Sequence, residues 1–159
     1  MARIVPIGGW PPRQQRTTAA TRTRKPPRER GRKLDALHLA FIRQLPCLIT
    51  GMVGDVEAAH VRLSLHAWGK DNAGTSARPS DMWTLPLSHS AHRDQHDMGE
   101  LKFWTEAGIN PLQICQQLYG VSAALRMSKE PPDAIVRHMT NIIKRARAEA
   151  IDLGREDPR

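Results

Sequence analysis

Apolar positions recur at three- and four-residue steps at Leu34, Leu37, Phe41 and Leu45, with Asp35 in the first turn and Pro46 closing the run. That spacing predicts an amphipathic helix over 34–45. The short apolar run Cys47-Leu-Ile-Thr-Gly51 and, after a Gly/Asp turn, the stretch Val56-Glu-Ala-Ala-His-Val61 predict two short strands. Residues 62–80 hold Gly69, Asn72, Gly74 and Pro79 without sustained periodicity and predict a long surface loop. A further strand is predicted at 82–87, after which Ser88 can cap a helix running to about Asp97.

Boundary signals sharpen toward the C-terminus. Glu100 to Ala107 predicts a short helix ended by Gly108, and Asn110-Pro111 supplies an N-cap and first position for a helix to about Met127. Pro131-Pro132-Asp133 then opens another helix, on which Ile135, Met139, Ile142, Ile143 and Ala146 share one face. These helices are expected to pack on the small sheet. There is no internal repeat, no long heptad series and no Gly-rich phosphate loop.

With 159 residues and 40% hydrophobic content, the chain has room for one modest globular domain and a tail. No apolar run is long enough to span a membrane, and the N-terminus lacks the apolar core of a signal peptide, so a cytoplasmic protein without membrane partners is expected. Cys47 and Cys115 lie far apart and imply no disulfide framework.

Charge changes the picture more. Residues 1–33 hold ten Lys or Arg against the single acid Glu29, or +9, whereas 34–159 hold fourteen basic and fifteen acidic residues, or −1. Prolines and the missing aliphatic periodicity mark 1–33 as a disordered basic arm, with 34–159 as the folded domain. Such an arm suits a phosphate backbone, through Arg22, Arg24, Lys25, Arg28, Arg30, Arg32 and Lys33; the bland alternative is a solubilising terminus.

Five of the seven histidines fall in one window: His60, His66, His89, His92 and His96. His92 and His96 stand one helical turn apart, so on a helix both imidazoles point the same way and can share a metal ion. Asp81, just before the last strand, is a candidate third donor or equally a turn residue. His60, at a strand end, is a candidate general base or a partly buried histidine bonded to backbone. Asp94 and Asp97 are offset from the His92/His96 face, and His38 and His138 read as structural.

The landmarks Leu45-Pro-Cys-Leu-Ile-Thr-Gly51, Ala58-Ala-His-Val61, Ser80-Asp81, Leu85-Pro-Leu-Ser-His-Ser-Ala-His-Arg-Asp-Gln-His96, Gly99-Glu100, Phe103-Trp104 and Gly108-Ile109 occur in order over residues 45–119. The series resembles the phage and prophage HNH endonucleases related to Ref, the recombination-enhancement nuclease. The resemblance implies an α+β, mostly helical fold with a ββα-metal (HNH, His-Me finger) core at 45–98, flanking C-terminal helices at 99–152 and the basic arm. It implies a DNA endonuclease with His60 as general base and a divalent ion held by His92 and His96, with Asp81 as ligand or loop organiser. His89 is an alternative ligand, and Arg93 joins the arm in steadying the DNA backbone. Mg2+ or Mn2+ is favoured, and Zn2+ or Ni2+ also suits such donors. RecA-coated recombination intermediates in a bacterial host cytosol are the further partners it implies.

Departures from the family pattern fall together. Relatives carry Cys-x-x-Cys where this chain has Cys47-Leu-Ile-Thr50, a cysteine at the position of Ser88 and a histidine at that of Ala91. Cys47 alone cannot close a tetrahedral site, so structural zinc is not expected and packing must replace it. The competing functional class is a non-catalytic nucleic-acid-binding or assembly protein that keeps an HNH-like fold.

Overall fold

The computed structural model describes residues 33–63, Lys70 and 79–155, with backbone alone at 153–155. Residues 1–32, with Arg22, Arg24, Lys25, Arg28, Arg30 and Arg32 of the expected arm, lie outside the described residues, as do 64–69 and 71–78 of the expected loop, with His66.

Among the described residues the chain is α+β and mostly helical, in the order α1 (Ala36–Ile42), β1 (Val56–His60), β2 (Thr84–Ser88), α2 (His89–Met98), α3 (Glu100–Glu106), α4 (Pro111–Met127) and α5 (Pro132–Arg155). The first helix is shorter than its apolar spacing predicts. Asp35 is its N-cap rather than a first-turn residue, and its carboxylate accepts the His38 N–H at 2.9 Å. The buried face is His38, Phe41 and Ile42, whereas Leu34 and Leu37 remain 73% and 62% exposed. A histidine thus occupies a core position that the aliphatic pattern assigns to leucines.

The predicted strand at 47–51 is instead a tight turn. The Gly51 N–H returns to the Cys47 carbonyl at 2.9 Å, and Gly51 takes φ +76, a left-handed conformation that glycine adopts without Cβ strain. Apolar Leu48 is buried here through local turn bonds, while its N–H donates to the Pro86 carbonyl on β2 at 2.8 Å.

The two observed strands form an antiparallel pair with Val56 opposite Ser88 and His60 opposite Thr84. Every residue of β2 is buried, which alternation cannot produce with one wet face; helices α1, α2 and α4 all pack against this strand. Ser88 ends β2 and caps α2, its hydroxyl accepting the Ala91 N–H at 3.4 Å. Strand and histidine-bearing helix are therefore joined without a loop.

Asn110 caps α4 through the N–H groups of Leu112 and Gln113, with Pro111 at the first helical position. The expected stripe Ile135, Met139, Ile142, Ile143 and Ala146 of α5 is buried, and α5 packs against α4, where Leu112, Ile114, Cys115 and Leu118 are also buried. This helical pair backs the hairpin through α4. No helix among the described residues is long and apolar enough to cross a membrane.

Candidate functional site

His60 closes β1 with its side chain 22% exposed and its Nε2 3.1 Å from Asp81 Oδ1. A carboxylate at neutral pH only accepts, so Nε2 carries the proton and the Nδ1 lone pair is left as the basic nitrogen. Asp81 itself is buried, and the Asp35 N–H donates to its Oδ2 at 2.9 Å. Its backbone is held as well: the Asp81 N–H donates to the Lys33 carbonyl at 2.9 Å, and Thr84 Oγ1 donates to the Asp81 carbonyl at 2.8 Å. The Lys33 N–H donates to Ser80 Oγ at 3.0 Å, so residues 33–35 lie along 80–81.

Behind this dyad, Arg126 of α4 grips the Asp35 carboxylate with both terminal nitrogens, at 2.9 and 2.7 Å. Burial alone would raise the Asp35 carboxyl, but the Arg126 guanidinium and the His38 N–H outweigh it and hold it below the usual carboxylate range. His38 is fully buried, with Nδ1 2.9 Å from Ser122 Oγ and its ring edge-on to Tyr119. Burial pushes it down to about 4, so it stays neutral near pH 7.

On α2, His92 and His96 have ring centroids 4.8 Å apart at 39°. Glu57 of β1 faces this helix, with Oε2 2.6 Å from His92 Nδ1 and Oε1 3.0 Å from His89 Nδ1. These bonds hold the Glu57 carboxyl below its ordinary range. With Nδ1 turned to the carboxylate, His92 keeps its Nε2 lone pair for a ligand, the usual arrangement behind a metal-bound imidazole. His89, His96, Asp94, Asp97 and Arg93 are exposed.

Helix α2 runs back along β1. Its first turn meets Glu57, and Glu100, just beyond its last residue, accepts the N–H groups of Arg62 and Leu63 at 2.8 and 2.7 Å. The same backbone is held from its carbonyl side by buried Lys70, which donates to Val61 O at 2.8 Å and to Leu63 O. Burial lowers the Lys70 ammonium from its usual value. Two opposite charges thus fix the segment leaving His60, and Glu100 ties it to the start of α3.

The structure joins His60 to Asp81 and stacks His92 beside His96, but it does not gather Asp81 with the α2 pair. Asp81, a candidate metal donor, has its carboxylate engaged by His60 and the Asp35 N–H. Among the described residues no three His, Cys, Asp or Glu side chains form a metal-holding group. His92 and His96, with ring centroids 4.8 Å apart, are the adjacent imidazole donors on α2 that a divalent ion could use. Nitrogen donors suit Mn2+, Ni2+ or Zn2+ better than oxygen-seeking Mg2+.

The inward side of α2 is different. Cys47 Sγ lies 3.6 Å from Ser88 Oγ and accepts the Thr50 N–H at 3.4 Å, while Ala91 is buried on the same helix start. Burial would raise the Cys47 thiol, but hydrogen bonds with Thr50 and Ser88 outweigh it and hold it below its usual value. Arg147 of α5 secures the turn by donating to the carbonyls of Cys47 at 3.3 Å, Leu48 at 3.2 Å and Ile49.

Glu57, Glu100, Asp35 and Arg126 escaped sequence reasoning as site residues. The one local signal is Glu57, an acid among the apolar residues of β1 and three positions before His60. No protein-family model, no curated protein and no solved structure matches this chain.

Proposed function

We propose that this chain is a divalent-metal-dependent DNA endonuclease of the HNH type. The observation that carries the reading is two carboxylate-oriented imidazoles, one ending β1 of a hairpin and one on the helix that the hairpin runs into: Asp81 on His60, and Glu57 on His92. The order strand, strand, helix also agrees with a ββα-metal core.

His60 Nδ1 takes a proton from water, and the resulting hydroxide forms a bond to phosphorus as the phosphorus–oxygen bond to the leaving group breaks. Asp81 holds the His60 ring in the acting tautomer and stabilises the imidazolium that forms. His92 and His96 would hold a divalent ion, which would supply positive charge for the phosphoryl and leaving oxygens. Glu57 fixes the direction of His92, and Glu100 with Lys70 keeps the end of β1 beside that helix. Arg93 and the basic residues of 1–33 contact the DNA backbone through charge rather than sequence. The resemblance to Ref-like nucleases adds a cytoplasmic recombination setting with RecA-coated DNA.

A plasmid-nicking assay across Mg2+, Mn2+, Ni2+ and Zn2+ tests the reading; metal-dependent nicking is expected, and none with any ion would refute it. One observation favours the second reading, a non-catalytic nucleic-acid-binding protein: no group of three donors forms among the described residues. Salt-sensitive DNA binding without cleavage is its signature.

A further inference from the structure

From the geometry we infer that Asp35 and Arg126 are positioning residues for His60, acting through Asp81; the catalytic part of this inference rests on the nuclease reading above. Asp81 orients His60 only while its own carboxylate is fixed, and one of its fixed oxygens is bonded by the Asp35 N–H at 2.9 Å. That N–H belongs to the residue at which the chain enters α1, so its place depends on what anchors Asp35.

Arg126 supplies the anchor. Its forked contact with the Asp35 carboxylate spans 91 positions of sequence and ties α4 to the start of α1. Its Nε donates to the Ser122 carbonyl at 3.0 Å, one turn back on its own helix, which sets the plane of the fork. The pair is mostly buried, with side chains 24% and 15% exposed, so it is less screened than a surface ion pair.

The chain thus runs from the Arg126 cation to the Asp35 carboxylate, from the Asp35 N–H to the Asp81 carboxylate, and from there to the His60 imidazole. Neutral His38 lines it without adding charge near pH 7. Asp81 has a backbone bond to the same segment, its N–H donating to the Lys33 carbonyl at 2.9 Å. Asp35 has a second duty as the cap of α1, and the two duties can be separated. Asparagine caps a helix about as well as aspartate, but its neutral amide cannot accept the charged fork.

The test uses the full-length Asp35→Asn and Arg126→Lys proteins. Nitrogen NMR of the histidine rings reads the His60 tautomer, and steady-state cleavage reads kcat and KM separately. The wild-type ring is expected to be mainly the Nε2–H form. Asp35→Asn is expected to mix the two tautomers and to lower kcat about tenfold, a typical loss for an orienting partner, with KM unchanged. Arg126→Lys keeps the charge without the fork and falls between. An unchanged tautomer in both variants would overturn the inference, whether or not the protein cleaves DNA. A single tautomer in the wild type that mixes in the variants, in a protein that cleaves nothing, would leave the positioning chain standing and remove the nuclease reading instead, whereas a mixed tautomer in the wild type would overturn the inference.

Discussion

On the α2 side of β1, Glu57 bonds His92 and His89 with its carboxylate 43% exposed, and His96 stands in solvent beside them. Toward α1, the carboxylate on His60 is 3% exposed, with a buried neutral histidine and a forked ion pair behind it. The same pairing of acid and imidazole is built wet on one side and dry on the other. A wet pair leaves nitrogen lone pairs accessible to an ion and its waters. A dry pair restricts one ring to one orientation, which suits a group whose task is to take a proton from a defined direction. The contrast lies in the carboxylates, since the His60 and His92 side chains are about equally covered at 22% and 24% exposed.

The sharpest way to break the comparison is to remove the wet donors. His92→Ala with His96→Ala is expected to lower metal-dependent cleavage on the order of a thousandfold, the equivalent of several kcal/mol of charge stabilisation. Calorimetric metal binding should disappear with it, while the thermal midpoint stays close to wild type because His96 is exposed and His92 is only partly covered.

Next in size is an effect of the dry side alone. His38 is lowered from 6.5 to about 4 in the folded chain, so the unfolded chain takes up its proton first as pH falls. Its contribution is complete above pH 6.5 and is lost as pH drops toward 4, by about 3 kcal/mol in total. Denaturant titrations at several pH values should therefore show stability falling through that window. His38→Gln, which can still bond Ser122 but does not titrate, should flatten this part of the curve.

Glu57→Gln tests whether the wet carboxylate does more than fill space. It is expected to weaken metal affinity about 10- to 100-fold, read by calorimetry, with little change in fold stability. The smallest effect concerns the inward side of α2. Arg147→Ala removes a cation from the carbonyls of Cys47, Leu48 and Ile49 and should cost about 1.5 kcal/mol in denaturant unfolding, with cleavage retained below the midpoint. Hydrogen bonds and Arg147 hold the Cys47 turn to β2 and α5.

How much of this the sequence carried depended on whether the cause was local. Ser88 before α2, Asn110-Pro111 before α4 and the apolar stripe of α5 are signals within one or two turns, and each element appears where they place it. The turn at 47–51 was misread because its apolar residues are buried by a knuckle against β2 rather than by strand pairing. The extent of α1 was misread because His38 takes the core position that Leu34 and Leu37 do not. Within the candidate site, His60, Asp81, His92 and His96 were visible as residue types at telling spacings. Their partners were not: Glu57 lies 35 positions from His92 and Arg126 lies 91 from Asp35, and only the packing of β1 on α2 and of α4 on α1 brings them together.

The central claim is that His60, held by Asp81, is the base while the α2 pair holds the ion. It is tested most directly by His60→Ala in the plasmid-nicking assay, with metal binding measured on the same sample. A loss of about 100- to 10,000-fold in nicking is expected, with metal affinity intact. Undiminished cleavage by His60→Ala would contradict it.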